Sequence, residues 1–208
     1  MEEINTRIEN EICYDIINNL RDENLLHEYI KCKSVKKEIK KLEEILDKYI
    51  NNDIKEKIIN EYLLELIPAG TKGVIRGNKF NNIIKNKILD LNIDNNKYEI
   101  CFEKKYEMCL TSEIPDWYIL EKSSKKIIIG MNQLDLWNGG QQLNRGFKYI
   151  ENCKYNNNES KLLCVVCNKI KFTSTNNKAF KLFKIGFEKN TLCYLNNLEN
   201  IIKSYFLL

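Results

Sequence analysis

Three short apolar segments between residues 98 and 133 constrain the fold of this chain most strongly. They cover residues 98–103, 114–120 and 126–133, and β-branched and aromatic residues dominate each of them, which is typical of β-strands. The short polar stretch 121–125 between the second and third segments predicts a hairpin turn. A fourth strand is predicted over residues 161–171, which are apolar enough to be central in a sheet.

The residues before these segments have a helical pattern instead. Apolar side chains recur every three to four positions in three successive runs, which predicts helices, with Asp53 as the N-cap of the third. The runs contain Ile4, Ile8, Ile12 and Ile16; Ile39, Leu42, Leu46 and Tyr49; and Ile54, Ile58, Tyr62 and Leu66. Pro68-Ala69-Gly70 interrupts the pattern, so we predict a helical N-terminal region over residues 1–70 and a core over residues 71–208.

Helical spacing returns at Phe80, Ile84 and Ile88 before the first strand, and a helix is predicted over residues 141–153. After the fourth strand, the apolar residues around Phe183 predict a further strand or a short helix, and a closing helix is predicted up to Leu208. The predicted order from Gly77 is therefore helix, three strands, helix and strand.

Length and composition limit the classes of protein to consider. A chain of 208 residues buries enough apolar surface to fold without disulfides. The eight cysteines lie in apolar or mixed segments without a secretory leader, so we expect reduced thiols in a soluble, intracellular protein. Cys164 and Cys167 form a lone CxxC pair, which favours a buried strand over a zinc site. His27 is expected on a helix surface or in the core. No apolar run approaches the roughly 20 residues that span a bilayer.

Charge is unevenly distributed along the chain. The formal net charge is +4, but residues 141–208 hold 11 Lys and Arg against 4 Asp and Glu. A basic C-terminal third is compatible with a polyanionic partner, although the same lysines also suit ordinary solvated faces.

The strand region also holds candidate metal ligands. Pro115 interrupts regular strand pairing and leaves Asp116 at an open sheet edge, and Glu103 at the end of the preceding strand offers a second carboxylate. Magnesium prefers oxygen ligands, with one or two carboxylates and retained waters. Divalent ions in such sites activate a water that cleaves a phosphodiester.

Pro115-Asp116, followed by Gln133 at the end of an apolar strand within the predicted element order, resembles the PD-(D/E)xK nuclease superfamily and in particular type II restriction endonucleases. The resemblance covers residues 73–171. It implies an α/β (α+β) fold with a restriction-endonuclease-like core, in which a central mixed sheet is flanked by helices and preceded by the helical N-terminal region. It also implies that Asp116 is the first ligand of Mg²⁺ or Mn²⁺ and that Gln133 replaces the family lysine and orients the attacking water.

Met131 departs from the family pattern, because the family places an acid two residues before the lysine position, on the same strand face. Three alternatives remain open: Asp135 supplies the missing carboxylate, Glu103 supplies it, or the site binds metal poorly.

A polar block follows the third strand around Gly139-Gly140. Amide and arginine side chains read base edges and bind phosphates at helix starts, so we expect DNA contacts here unless the block is a plain helix cap. The DNA-binding candidates are Asn138, Gln141, Gln142, Asn144 and Arg145, together with Arg76 and Asn78 at a predicted helix entrance. Arg76 is equally suited to an ordinary salt bridge.

We therefore expect a metal-dependent endodeoxyribonuclease that cuts double-stranded DNA at a specific site. Such an enzyme commonly acts as a homodimer, with the N-terminal helices as dimer contact or DNA clamp. The alternatives are a DNA-binding module that kept the fold and lost the chemistry, and an unrelated α/β protein that contacts RNA or a protein.

Overall fold

The computed structural model of the protein describes residues 14–106, 114–134, 159–166 and 178–208. Several predictions concern residues outside these ranges: the helical run from Ile4 to Ile12, the helix over 141–153, and the site candidates Asp135, Asn138, Gln141, Gln142, Asn144 and Arg145. The described residues form two compact units: a helical unit over residues 14–80, and a sheet unit that contains the described residues from Asn81 onward.

The predicted helical character is confirmed for the described residues of the first third. In that part of the chain, four helices precede the long helix α5 (Ala69–Leu89): α1 (Tyr14–Asn19), α2 (Asp22–Tyr29), α3 (Lys33–Leu46) and α4 (Asn52–Leu66). The N-cap of α4 is Asn51, whose side chain accepts a hydrogen bond from the Ile54 N–H, so the prediction of Asp53 as the cap was wrong. Asp53 lies instead in the first turn, where its charge favours the helix dipole.

The helical unit is held together by a small apolar core and a buried tyrosine. Leu25, Tyr29, Val35 and Ile67 are buried together. The Tyr29 hydroxyl donates to Asp22 Oδ1 at 2.7 Å, so the ring buries its area without losing its polar partner. His27 is exposed on α2, as expected for a helix-surface histidine.

Helix α5 is longer than the sequence pattern suggested. It starts directly after Pro68, whose fixed φ and missing N–H suit a helix start, and continues through Gly70, Gly73 and Gly77. Each glycine disfavours a helix by about 1 kcal/mol relative to alanine, which is why the sequence predicted a break here. The two units divide between residues 80 and 81, within α5, rather than at the predicted boundary at residue 70.

The sheet unit contains a five-stranded mixed sheet with strands in chain order, so the described structure is α+β. The strands are β1 (Tyr98–Phe102), β2 (Trp117–Glu121), β3 (Ile127–Gln133), β4 (Ser160–Val166) and β5 (Leu192–Tyr194). β1, β2 and β3 are antiparallel neighbours, whereas β3, β4 and β5 are parallel. The predicted hairpin between the second and third strands is confirmed, and the second strand begins at Trp117 rather than Ile114 because Pro115 and Asp116 lie before the ladder.

Two helices complete the described part of the sheet unit. α6 (Lys178–Glu188) resolves the strand-or-helix alternative in favour of a helix, and α7 (Leu198–Phe206) is the predicted closing helix. Phe180, Leu182 and Phe183 of α6 pack on one face of the sheet together with Met131 and Cys164. Burying an aromatic or large aliphatic side chain contributes about 1.5–3 kcal/mol, so this apolar cluster accounts for much of the driving force for folding.

Four cysteines in the described ranges form no disulfide. Cys164 and Cys193 are buried, and Cys32 and Cys101 are partly buried. None of the helices in the described ranges has the length and apolar character needed to cross a bilayer.

Candidate functional site

A cavity of about 160 Å³ lies in the sheet unit, at the edge where β1 ends and β2 begins. Side chains from α5 and from the three antiparallel strands surround it. The lining residues are Asn81, Asn82, Lys85, Phe102, Glu103, Asp116, Trp117 and Asn132. The structure thus brings the predicted carboxylates of Asp116 and Glu103 to one cavity, beside a lysine and several amides.

Asp116 occupies the last position before β2 enters the ladder. Its backbone N–H donates to the Gly130 carbonyl at 3.1 Å. Its carboxylate Oδ2 accepts the Asn132 N–H at 2.6 Å, so the side chain takes the place of a strand carbonyl where β2 has not yet begun. A short hydrogen bond to a carboxylate is among the stronger protein hydrogen bonds, and it fixes the direction in which Asp116 points.

Asn132 links the carboxylate to a second layer of side chains. Its Oδ1 accepts from Trp117 Nε1 at 2.9 Å, and its Nδ2 donates to Asn81 Oδ1 at 3.1 Å. An indole N–H is only a donor, so Trp117 determines which end of the amide faces it, and the donating end is left for Asn81. The network connects α5, β2 and β3 around the Asp116 carboxylate.

Glu103 is held in an unusual backbone conformation. Its φ is 50°, in the left-handed region that non-glycine residues seldom adopt. Its N–H donates to the Asp116 carbonyl at 3.0 Å, and this bond keeps the end of β1 beside the start of β2. Strained backbone of this kind concentrates at functional sites. The side chain is exposed and lines the cavity, so a ligand from solvent can reach its carboxylate.

Lys85 supplies the positive charge of the cavity. It lies on α5 and is exposed, and its Nζ lies 5.2 Å from the centroid of the Phe102 ring. An ammonium at this distance from an aromatic face is attracted by the ring quadrupole. The described lining residues therefore carry two carboxylates and one ammonium, a formal charge of −1. This charge favours a cation and leaves one positive group for an anionic ligand.

Gln133 does not line this cavity. Met131 is 1% exposed and belongs to the apolar cluster beneath α6, and Gln133, two residues on, shares that face because strand side chains alternate. Gln133 is 6% exposed. Its neighbour Asn132 faces the cavity instead. The catalytic role of Gln133 stays a prediction, as does that of Asp135, which lies beyond the described ranges.

The two described DNA-binding candidates, Arg76 and Asn78, lie in the helical unit. They are in the interior of α5 and not at a helix entrance, because the helix begins at Ala69. Arg76 lies 4.0 Å from Asp22 Oδ1, and Lys72 lies 3.5 Å from Asp22 Oδ2, so the salt-bridge alternative fits Arg76. Asn78 is exposed. The other five candidates fall in ranges that the structure leaves undescribed.

A second carboxylate cluster, at Glu99 on β1, escaped the sequence analysis. Glu99 Oε1 accepts from the Tyr118 hydroxyl at 2.8 Å and from Cys101 Sγ at 3.3 Å. These hydrogen bonds, with the Tyr118 bond as the largest cause, hold the pKa of Glu99 below its usual value. Burial is the main cause that raises the pKa of Tyr118. The Tyr118 bond joins β2 to β1, whereas the Cys101 bond lies within β1.

The cavity residues that sequence reasoning missed lie mainly on α5. Asn81, Asn82 and Lys85 are polar positions interspersed among the buried Phe80, Ile84 and Ile88 of an amphipathic helix. That spacing places them on one side of the helix, and it was visible in the sequence. The cavity that gives them a role depends on sheet pairing, which the spacing did not reveal.

The donor set fits a hard divalent cation. Carboxylate and amide oxygens are the ligands that Mg²⁺ prefers, with one or two carboxylates and the remaining positions held by water. Within the described ranges, no group of three His, Cys, Asp or Glu side chains is placed to hold a metal, so Asp116 and Glu103 are the carboxylates available. A scan against family models, a search of curated proteins and a search of solved structures each returned no match.

Proposed function

We propose that the protein is a metal-dependent endodeoxyribonuclease of the type II restriction type, which hydrolyses phosphodiester bonds in double-stranded DNA at a specific site. The convergence of Asp116 and Glu103 on one cavity carries this proposal. Glu103, which follows β1 in a left-handed backbone conformation, and Asp116, which precedes β2, line the same cavity beside a mixed sheet.

Asp116 and Glu103 would hold Mg²⁺ or Mn²⁺, which supplies Lewis-acid activation of water and charge neutralisation at the phosphate. In hydrolysis, the water oxygen forms a bond to phosphorus and one P–O ester bond breaks. A water proton ends on the leaving alkoxide, so one new end carries a phosphomonoester and the other a hydroxyl. The contribution of the chain is to fix the carboxylates, and the Asn132 N–H does this for Asp116.

The partners follow from this chemistry. Double-stranded DNA is the substrate, and the basic residues 141–208 offer charge for its phosphates. We propose a homodimer, because a two-fold DNA site matches a two-fold protein. Light scattering of the purified protein with and without DNA measures this directly, and a strictly monomeric complex would contradict it.

Supercoiled plasmid with Mg²⁺ tests the function, with Asp116→Asn as the main variant. This substitution keeps an oxygen acceptor for the Asn132 N–H and removes only the charge, so the fold is preserved while cation binding is lost. We expect discrete fragments from the parent protein and at least a hundredfold slower cutting by the variant, of the order found when a charge-stabilising group is removed from a catalytic site. Asp90→Asn, an exposed acid beyond the end of α5, is the matched control and should cut normally. Cutting that persists in the Asp116 variant would place the centre elsewhere.

A specific observation also favours the second candidate, a DNA-binding module without catalysis. Met131 is buried in the apolar cluster, at the position where the resemblance requires an acid. The module would bind DNA equally well in Mg²⁺ and in chelator and would never cut it. Electrophoretic binding assays under both conditions, run beside the plasmid assay, separate the two candidates.

A further inference from the structure

We propose that Lys85 is the catalytic cation of the site and contacts the phosphate oxygens at the bond to be cleaved. This inference rests on the proposed nuclease function. The residue lies on α5, outside the strands that carry the acids. No sequence motif assigns it, and its position on the cavity carries the argument.

The position of Lys85 is the first observation. It lines the same cavity as Asp116 and Glu103, and among the described lining residues it is the one cationic side chain. A phosphodiester that approaches an ion held by the two acids would bring its non-bridging oxygens into this 160 Å³ space. The lining offers those oxygens one ammonium donor, and Asn82 beside it offers an exposed amide.

The availability of Lys85 is the second observation. Among the described residues, its ammonium forms no ion pair and no hydrogen bond, and its recorded contact is with the Phe102 ring. By contrast, Lys79 on the same helix is paired with Glu28. A lysine that neutralised the cavity acids in the resting protein would be bound to one of them.

The placement of Gln133 is the third observation. Gln133, which the resemblance put in place of the family lysine to orient the attacking water, lies on the Met131 face of β3 and is almost wholly buried. β3 brings the uncharged Asn132 to the cavity, whereas α5 brings the ammonium of Lys85. During hydrolysis Lys85 donates hydrogen bonds to the oxygens that gain negative charge. Lys85 forms and breaks no covalent bond, and it neither gives up nor receives a proton in the reaction.

Lys85→Met tests the proposal, because methionine keeps the length and apolar stem of the side chain and removes the charge. We expect plasmid cutting at saturating DNA to slow by about 10²–10³-fold, the usual effect of losing one charge-stabilising donor. Lys85→Arg should recover part of the rate. Lys87→Met removes a charge from the same helix without touching the cavity lining, and should stay within about twofold of the parent.

Cation affinity gives a readout that does not depend on cutting. With Trp137→Phe as the background, Trp117 is the single tryptophan, and Mn²⁺ bound in the cavity should quench its fluorescence. Losing a positive charge from the same cavity should tighten Mn²⁺ binding by about threefold to tenfold in Lys85→Met. Lys87→Met should leave the affinity unchanged, and Asp116→Asn should weaken it.

The outcomes separate the inference from the function. An active parent with an equally active Lys85→Met variant, or with a loss confined to Gln133→Ala, overturns the role of Lys85 and leaves the nuclease intact. An inert parent overturns the proposed function and the catalytic role together. Unchanged Mn²⁺ affinity in Lys85→Met would show that the ammonium does not face the cation, and would also overturn the proposal.

Discussion

Gly130→Ala should destabilise the sheet unit because of one neighbouring ring. Gly130 pairs with Trp117 across the β2–β3 ladder, and the indole lies over the glycine Cα. A Cβ built at residue 130 would overlap three atoms of the Trp117 side chain. Trp117 is 1% exposed and donates to Asn132, so the ring cannot move aside without breaking a hydrogen bond.

The magnitude follows from overpacking. Forcing one extra carbon into a filled core costs about 1–3 kcal/mol, and losing a buried hydrogen bond adds about 1 kcal/mol. We expect the free energy of unfolding to fall by about 2–4 kcal/mol. Urea denaturation followed by far-UV circular dichroism measures this change.

Gly73→Ala is the matched control, and its expected sign is opposite. Gly73 lies in the exposed interior of α5, and a Cβ there would meet no atom within 4 Å. Alanine should stabilise the protein by about 0.5–1 kcal/mol through its better helix propensity. If Gly130→Ala unfolds within about 0.5 kcal/mol of the parent, the ring does not require the glycine and the proposed packing of Trp117 is refuted.

Two further predictions concern hydrogen bonds to carboxylates. Asp116→Ala should lower the free energy of unfolding by about 1–3 kcal/mol, because the Asn132 N–H loses its acceptor. Asp116→Asn keeps an acceptor and should cost less than about 1 kcal/mol. Equal losses for the two variants in urea denaturation would contradict this hydrogen bond. Burial alone would raise the pKa of Asp22, but the Tyr29 hydrogen bond and the Arg76 and Lys72 charges outweigh it and hold that pKa below the ordinary 3.8. Because the folded pKa is the lower one, this stabilisation is complete above about pH 4 and is lost as pH falls through the folded value. Tyr29→Phe should therefore make the free energy of unfolding less sensitive to pH below about pH 4. An unchanged dependence on pH would show that the Tyr29 hydrogen bond does not lower the pKa of Asp22.

The secondary structure was largely readable from local pattern. The predicted strands over residues 98–103 and 126–133 are observed as β1 (Tyr98–Phe102) and β3 (Ile127–Gln133), because β-branched and aromatic side chains at these positions suit a pleated, buried surface. The helices of the first third followed from their apolar spacing. The failures occurred where local preference was weak: three glycines suggested a break in α5, but the helix continues through all of them.

The cavity was only partly predictable. Pro115 marked Asp116 as the residue at a strand entrance, and Glu103 ended a predicted strand, so both acids were expected to be near each other. Asn132 was not identified, because choosing it over Gln133 requires knowing which face of β3 meets α5, and a shift of one residue reverses every side chain.

The positions of most helices and strands, and of the acids at strand ends, followed from local sequence, because side-chain spacing and the fixed φ of proline act over a few residues. Which polar side chains lie close together depends on the tertiary fold. Strand pairing and the path of α5 bring Lys85, Asp116 and Asn132 to one cavity, while Met131 and Gln133 are turned to the opposite face. These residues are far apart in the chain, so local sequence preferences do not predict that they line one cavity.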